Sequence, residues 1–241
     1  MKRYINVLFL ILFINFLNSY SQNSDYNIVE NYIQSKDYYK ALSEVNKILS
    51  NQPDDIKSLK LKINVLYLLD KYKEASDILD NVLKKYNKDY ELLYLSGLVN
   101  IRLKKYKKAI DDLTVALETS DNELLYKIYL ARGIAFMNYE LYDEALQDLE
   151  KSLSINNSSP QTYTSLGMVN YYLRNYSTAV KNFELAIEKG DNNPETYFNL
   201  GMSYLKNDQK NKACQNFQKA CSMGNTNACK AILLECATNI P

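Results

Sequence analysis

The 241 residues include no histidine, which excludes histidine bases and histidine metal ligands outright. With 29 basic and 28 acidic side chains the net charge is +1, so the overall field gives no reason to hold nucleic acid or an anionic membrane. No glycine-rich phosphate loop, nucleophile elbow or metal motif appears, and no carboxylate or lysine pair stands clear of the repeating pattern described below. The composition therefore points away from an enzyme and from any cofactor or metal.

The chain opens MKRYINVLFLILFINFLNSYSQN. Lys2 and Arg3 make a positive start, and Ile5 to Leu17 is almost wholly apolar. Ser19-Tyr20-Ser21 then puts small residues at both positions that a signal peptidase reads, which completes the pattern of a secretory signal. The apolar run is shorter than the about 20 residues needed to span a bilayer, and no second run follows. The reading is an exported protein, periplasmic or associated with the cell envelope or secreted, cut after residue 21 and without direct membrane insertion. An uncleaved N-terminal anchor is the rival reading. Removal of residues 1–21 leaves 27 basic against 28 acidic side chains.

From there an alanine returns on a fixed beat: Ala41, Ala75, Ala109, Ala145, Ala179 and Ala213, at intervals of 34, 34, 36, 34 and 34 residues. Such a period predicts a stack of helix pairs. Tyrosine stands three residues before the alanine in the first five units (Tyr38, Tyr72, Tyr106, Tyr142, Tyr176) and is replaced by Lys210 in the sixth. Glycine stands twelve before it in the last four (Gly97, Gly133, Gly167, Gly201). A large apolar residue follows four after it in all but the first unit (Leu79, Leu113, Leu149, Phe183, Phe217), and a small one stands seven after it in the last four (Ala116, Ser152, Ala186, Ala220). Apolar steps of three and four residues form two helical stripes per unit, split by a short polar turn. Glycine on the first helix and alanine on the second let the two approach closely. The tyrosine is expected in the turn, covering the pair with its hydroxyl in water. The 36-residue interval carries two extra residues within Glu118–Leu125, read as a longer surface turn or as a break between two three-repeat halves.

These in-phase residues resemble the tetratricopeptide repeat family over about residues 22–222. The resemblance implies an all-α solenoid of αα-hairpins, a right-handed superhelix of six units closed by a C-terminal capping helix. The expected layout is a signal peptide at 1–21, units one to three at 22–125, units four to six at 126–222, and the capping helix and tail at 223–241. The first helix of each unit would line a concave groove. The groove positions carried over are Tyr94, Leu98, Ile101 and Arg102 in unit three, and Lys127, Leu130, Ile134 and Met137 in unit four. They continue with Thr164, Met168, Tyr171 and Tyr172 in unit five and Phe198, Met202, Leu205 and Lys206 in unit six. The apolar members are additional to the packing stripe, and methionine and tyrosine suit adaptable recognition of a peptide or helix. Burial in the superhelix or against a neighbouring subunit is the alternative. Lys60, Asn64 and Lys127 match a carboxylate clamp known in the family, but Leu95 and Ala131 stand where its other polar members belong.

All four cysteines lie near the C-terminus: Cys214, Cys221, Cys229 and Cys236. The first two share a face of the last repeat's second helix, and the other two sit on a final helix expected from about Thr226 to Ala237. The spacing is symmetric about Asn225, so antiparallel folding brings Cys221 opposite Cys229 and Cys214 opposite Cys236. Three connectivities are open to four cysteines, and symmetry favours this one. The segment KACSMGNTNAC also resembles cysteine-rich Sel1-like repeats, which implies a Cys221–Cys229 bridge. A four-thiolate zinc site is the rival, although zinc ligands usually pair two to four residues apart. The function expected is a non-enzymatic scaffold binding a protein or peptide in its groove within an envelope assembly. The alternative is a solenoid that self-assembles with its groove occluded.

Overall fold

The computed structural model describes residues 25–119 and 124–236, and the signal-like segment and part of the two-residue insertion fall outside them. Among the described residues the chain is all-α, with no strand. Helix α1 covers residues 25–34 and is followed by α2 (Tyr38–Asn51), α3 (Ile56–Leu68), α4 (Tyr72–Val82) and α5 (Tyr90–Arg102). Next come α6 (Tyr106–Thr119), α7 (Leu125–Asn138), α8 (Tyr142–Ile155), α9 (Pro160–Tyr172) and α10 (Tyr176–Glu188). The series closes with α11 (Pro194–Lys206), α12 (Lys210–Ser222), α13 (Thr226–Ala231) and a π-helical turn, Ile232–Cys236. Odd and even helices up to α12 are the first and second helices of the six repeats. Contacts divide the chain into two compact units, one reaching Leu103 and one beginning at Lys104.

The repeat residues are the packing residues. All six marker alanines are fully buried, as are the small residues Ala116, Ser152, Ala186 and Ala220. Phe183 and Phe217 are also fully buried, and each fills the space left by the glycine of its partner helix. A Cβ built at Gly167 would stand 2.7 Å from Phe183, and one at Gly201 would stand 2.6 Å from Phe217. The tyrosine marker differs slightly from its expected place. Tyr38, Tyr72, Tyr106, Tyr142 and Tyr176 are each the first residue of a second helix, and all are half-buried.

Polar chemistry sets the helix ends. Asp55, Asp89, Ser159 and Asn193 cap α3, α5, α9 and α11, each accepting a hydrogen bond from a first-turn backbone N–H. Leu124, before α7, offers no such side-chain cap, and this is the one first helix that follows the insertion. Between the two helices of each repeat one residue adopts the left-handed conformation: Lys36, Asp70, Lys104, Glu140, Arg174 and Asp208, with φ between 58° and 64°. The N–H of the next residue closes the turn on the carbonyl five residues back, as in Leu141 to Phe136 at 2.9 Å and Asn175 to Asn170 at 2.8 Å.

In the first unit, Tyr26, Val29, Ala41, Val45, Ile48 and Val65 form one core, and Ile63, Leu66, Ala75, Leu79, Leu92 and Val99 form the next. Lys60 donates to Asp89 at 2.7 Å and to Glu91. Burial pushes its ammonium down, but hydrogen bonding and attraction from those two carboxylates outweigh this and hold it above its usual value. Asp55 is lifted by burial yet held below the usual carboxylate range by hydrogen bonds from Ser58 and Tyr26 and the charge of Lys57.

In the second unit a buried ion pair joins α7 to α8. Arg132 donates through Nε and Nη2 to the two oxygens of Asp148 at 2.6 and 2.9 Å, and through Nη1 to Thr114 Oγ1 of α6 at 3.0 Å. Two charges withdrawn this far from water are tolerable because every bond is directed and paired. At the C-terminal end Cys221–Cys229 and Cys214–Cys236 are bonded, with Cα separations of 4.9 and 5.8 Å. Both separations lie in the range a disulfide requires. The final segment differs from the continuous helix expected: α13 stops at Ala231, and Cys236 is carried by the π-helical turn.

Candidate functional site

In the second unit the first helices of repeats four, five and six, α7, α9 and α11, stand in sequence next to one another. They leave an open cleft of ≈ 600 Å³, a size in the range of ligand-binding clefts. One wall is apolar, from Ile134 and Met137 on α7 and Met168 on α9. The opposite wall is polar and comes from the turn before α11 and its first turns: Asp191, Asn192, Asn193, Glu195, Thr196 and Asn199. Gln161 and Thr164 of α9 complete the rim.

The polar wall is held in place by its own hydrogen bonds. Asp191 accepts from Thr164 Oγ1 at 2.6 Å, Thr196 Oγ1 at 2.8 Å and the Asn193 backbone N–H at 2.9 Å. Glu195 accepts from Asn225 Nδ2 at 2.7 Å, which ties the rim to the turn before α13. Gly190 starts this turn in the left-handed region, φ +101°, with nothing within 4 Å of where a Cβ would be. Its requirement is therefore conformational.

The structure brings Ile134, Met137, Met168 and Thr164 together in the cleft. The other groove positions are distributed differently. Leu130 is 7% exposed and packs with Ala145, Leu149, Leu166 and Val169, so it is part of the core. Phe198 lies 5.8 Å, ring to ring, from Phe217, and with Met202 and Leu205 it packs on the C-terminal core. Tyr171 and Tyr172 join a separate aromatic cluster at the repeat turns. Tyr172, 46% exposed, stacks on Tyr142 at 5.2 Å, while Tyr171 meets Tyr172 and Tyr176 edge-on at 6.0 and 5.5 Å. Burial, then the neighbouring tyrosines, raise the phenol of Tyr171. Tyr94, Leu98 and Ile101 are half-buried on α5 of the first unit. Lys60 of the clamp-like set is committed to Asp89 and Glu91.

Sequence reasoning missed the polar wall. Its residues come from an inter-repeat turn and the first turns of α11, and none of them is among the groove residues named from the sequence. The run Gly190-Asp191-Asn192-Asn193, a left-handed glycine followed by three turn-forming side chains, is the signal that marks it. Among the described residues no group of histidine, cysteine, aspartate and glutamate side chains is arranged to hold a metal ion. No described helix is long and apolar enough to cross a membrane.

Two family profiles match the chain. The one described as anaphase-promoting complex, cyclosome, subunit 3 matches residues 34–116, and the one described as tetratricopeptide repeat matches residues 182–215. Among curated proteins, BBSome complex member BBS4 of Mus musculus is 29% identical over 126 residues, covering 51% of this chain and 22% of that protein. Dynein axonemal assembly factor 4 of Rattus norvegicus is 38% identical over 104 residues, 40% of this chain and 24% of that protein. The chain thus spans about a quarter of the length of the curated relatives it matches.

Solved structures that share the fold include the following three. PilW, a widely conserved type IV pilus biogenesis factor, has a TM-score of 0.79 at 14% identity, covering 88% of this chain and 97% of that one. PilF of Pseudomonas aeruginosa has a TM-score of 0.74 at 17% identity, covering 88% and 96%. YrrB, a TPR protein with an unusual peptide-binding site, has a TM-score of 0.58 at 19% identity, covering 78% and 96%. At these identities the likeness speaks for the fold alone. Repeats that keep glycine, alanine and a large apolar residue in phase, packed against one another as the spacing requires, agree with the profile matches and the shared fold: the chain is an interaction-repeat protein of the tetratricopeptide repeat family.

Proposed function

We propose that this protein is an exported, non-enzymatic adaptor that holds a segment of a protein partner in the cleft of repeats four to six, within a cell-envelope assembly. The observation that carries the reading is the apolar wall of Ile134, Met137 and Met168, half-buried residues that pack against the neighbouring cores on one side and line the open cleft on the other. Export is supported by the charged, apolar and small-residue order of residues 1–21 and by four cysteines in bonded pairs, which persist in oxidising compartments. An envelope setting is favoured by the shared fold with a type IV pilus biogenesis factor.

The test is capture from native envelope extract by the full chain beside its Met137→Asp/Met168→Asp variant, both positions lining the cleft. One partner retained by the native protein and lost by the folded double variant supports the cleft. The same partners on both would move recognition to another face. A second reading, self-assembly through the C-terminal end, is favoured by Leu233 and Leu234, 73% and 75% exposed on the π-helical turn. Light scattering separates the two: an adaptor keeps one mass across concentration, whereas an assembling solenoid grows and Leu233→Ser/Leu234→Ser stops that growth.

A further inference from the structure

Resting on the reading of this cleft as a peptide site, we infer that its occupant is a peptide segment bearing a lysine or arginine beside apolar side chains. Among the described residues the lining contains two ionisable groups, Asp191 and Glu195, and both are carboxylates; no lysine or arginine lines it. Neither carboxylate is ion-paired among the described residues. The donors that hold them, Thr164, Thr196, Asn193 and Asn225, are neutral, so they orient the charge without cancelling it. A cleft walled by protein and lined by one sign of charge concentrates the opposite sign. A free C-terminal carboxylate or an acidic segment meets repulsion here and finds no cation to pair with, in contrast to a lysine-based carboxylate clamp.

The rest of the lining completes the match. Ile134, Met137 and Met168 form one side wide enough for apolar side chains, with methionine supplying adaptability. Asn199 of α11 and Gln161 at the α9 rim provide amide groups that both donate and accept, which suits the backbone of an extended chain. A basic side chain with an aliphatic stem satisfies both walls, its methylenes on the methionines and its charge toward Asp191 and Glu195.

The test uses pools of N-acetylated, C-amidated nonapeptides whose central residue is fixed as Lys, Arg, Gln, Ala or Glu while the other positions are randomised. Retention on the immobilised full chain is read for the native protein and for Glu195→Gln, Gln161→Lys and Met168→Asp. The Lys and Arg pools are expected to exceed the Gln and Ala pools by about fivefold or more, with the Glu pool lowest. Glu195→Gln and Gln161→Lys, both at exposed positions, should shrink that ratio toward one, and Met168→Asp should lose every pool. Salt at about 0.5 M should shrink the ratio too, because exposed charges are screened. Equal retention of all pools, lost in Met168→Asp, leaves the peptide cleft standing and overturns the charge preference. A lead by the Glu pool, or a preference untouched by Gln161→Lys, overturns it as well. Retention of no pool by the native protein overturns both this inference and the peptide-binding reading.

Discussion

The repeat is enforced most sharply where one glycine meets one aromatic ring. A methyl group at Gly201 would sit 2.6 Å from Phe217 Cδ1 and Cε1 and 3.2 Å from the Ala213 carbonyl oxygen, so the ring must move and the backbone leaves it little room. Gly201→Ala should therefore lower stability by about 1–3 kcal/mol, the usual range for overpacking, measured as a shift in the urea midpoint at constant slope. Adding Phe217→Leu, which removes the obstructing ring edge, should recover part of that loss. A double variant no more stable than Gly201→Ala would mean that the glycine is needed for something other than clearance. This contact was legible in the sequence because two residues sixteen apart, Gly201 and Phe217, repeat together as Gly167–Phe183 and Gly133–Leu149. The Arg132–Asp148 pair was not legible. It occurs in one repeat only, and a charged residue inside a helix reads as surface until its burial is seen.

Each repeat turn ends its first helix with a left-handed residue that is never glycine, although glycine adopts that conformation at no steric cost. Lys36, Asp70, Lys104, Glu140, Arg174 and Asp208 share φ near 60° but no residue type. Their common conformation could not be read from identity, while the 34-residue beat did locate the turns. Aspartate tolerates this region better than glutamate or arginine, because its short side chain bonds locally. Glu140→Gly and Arg174→Gly should therefore each raise stability by about 0.5–1 kcal/mol, net of the greater freedom glycine has when unfolded. Asp70→Gly should gain less. Thermal midpoints of the three single variants check the order, and a loss at Glu140 or Arg174 would show that their side chains support the turn. The candidate site divides along the same line. Its apolar wall was legible because Ile134, Met137 and Met168 occupy helical positions carried over from the resemblance. Its polar wall is shared between the turn at Gly190–Asn193, where no periodicity applies, and Glu195, Thr196 and Asn199 in the first turns of α11.

In a solenoid each element is stabilised by its immediate neighbours, so an end element lacks half of the support an internal one has. The two disulfides add covalent ties between α12 and the segment beyond it, at sequence separations of 22 and 8. If loop entropy is the source of stabilisation, the Cys214–Cys236 bridge contributes about 1 kcal/mol more than Cys221–Cys229, because its loop is longer. The effect should also be local. Amide exchange in Cys214→Ser/Cys236→Ser should accelerate along α12 and α13, and less so in Cys221→Ser/Cys229→Ser, while α7 and α8 keep the protection they have in the native protein. The Arg132–Asp148 pair, which lies in those two helices, gives that internal region its own anchor. Because Asn225 also bonds Glu195, loosening the cap should reach the cleft rim at α11 before it reaches α9. Equal acceleration across α7 to α13 would show instead that the second unit opens as one block, and that its C-terminal bridges lock the whole cleft and not merely the last repeat.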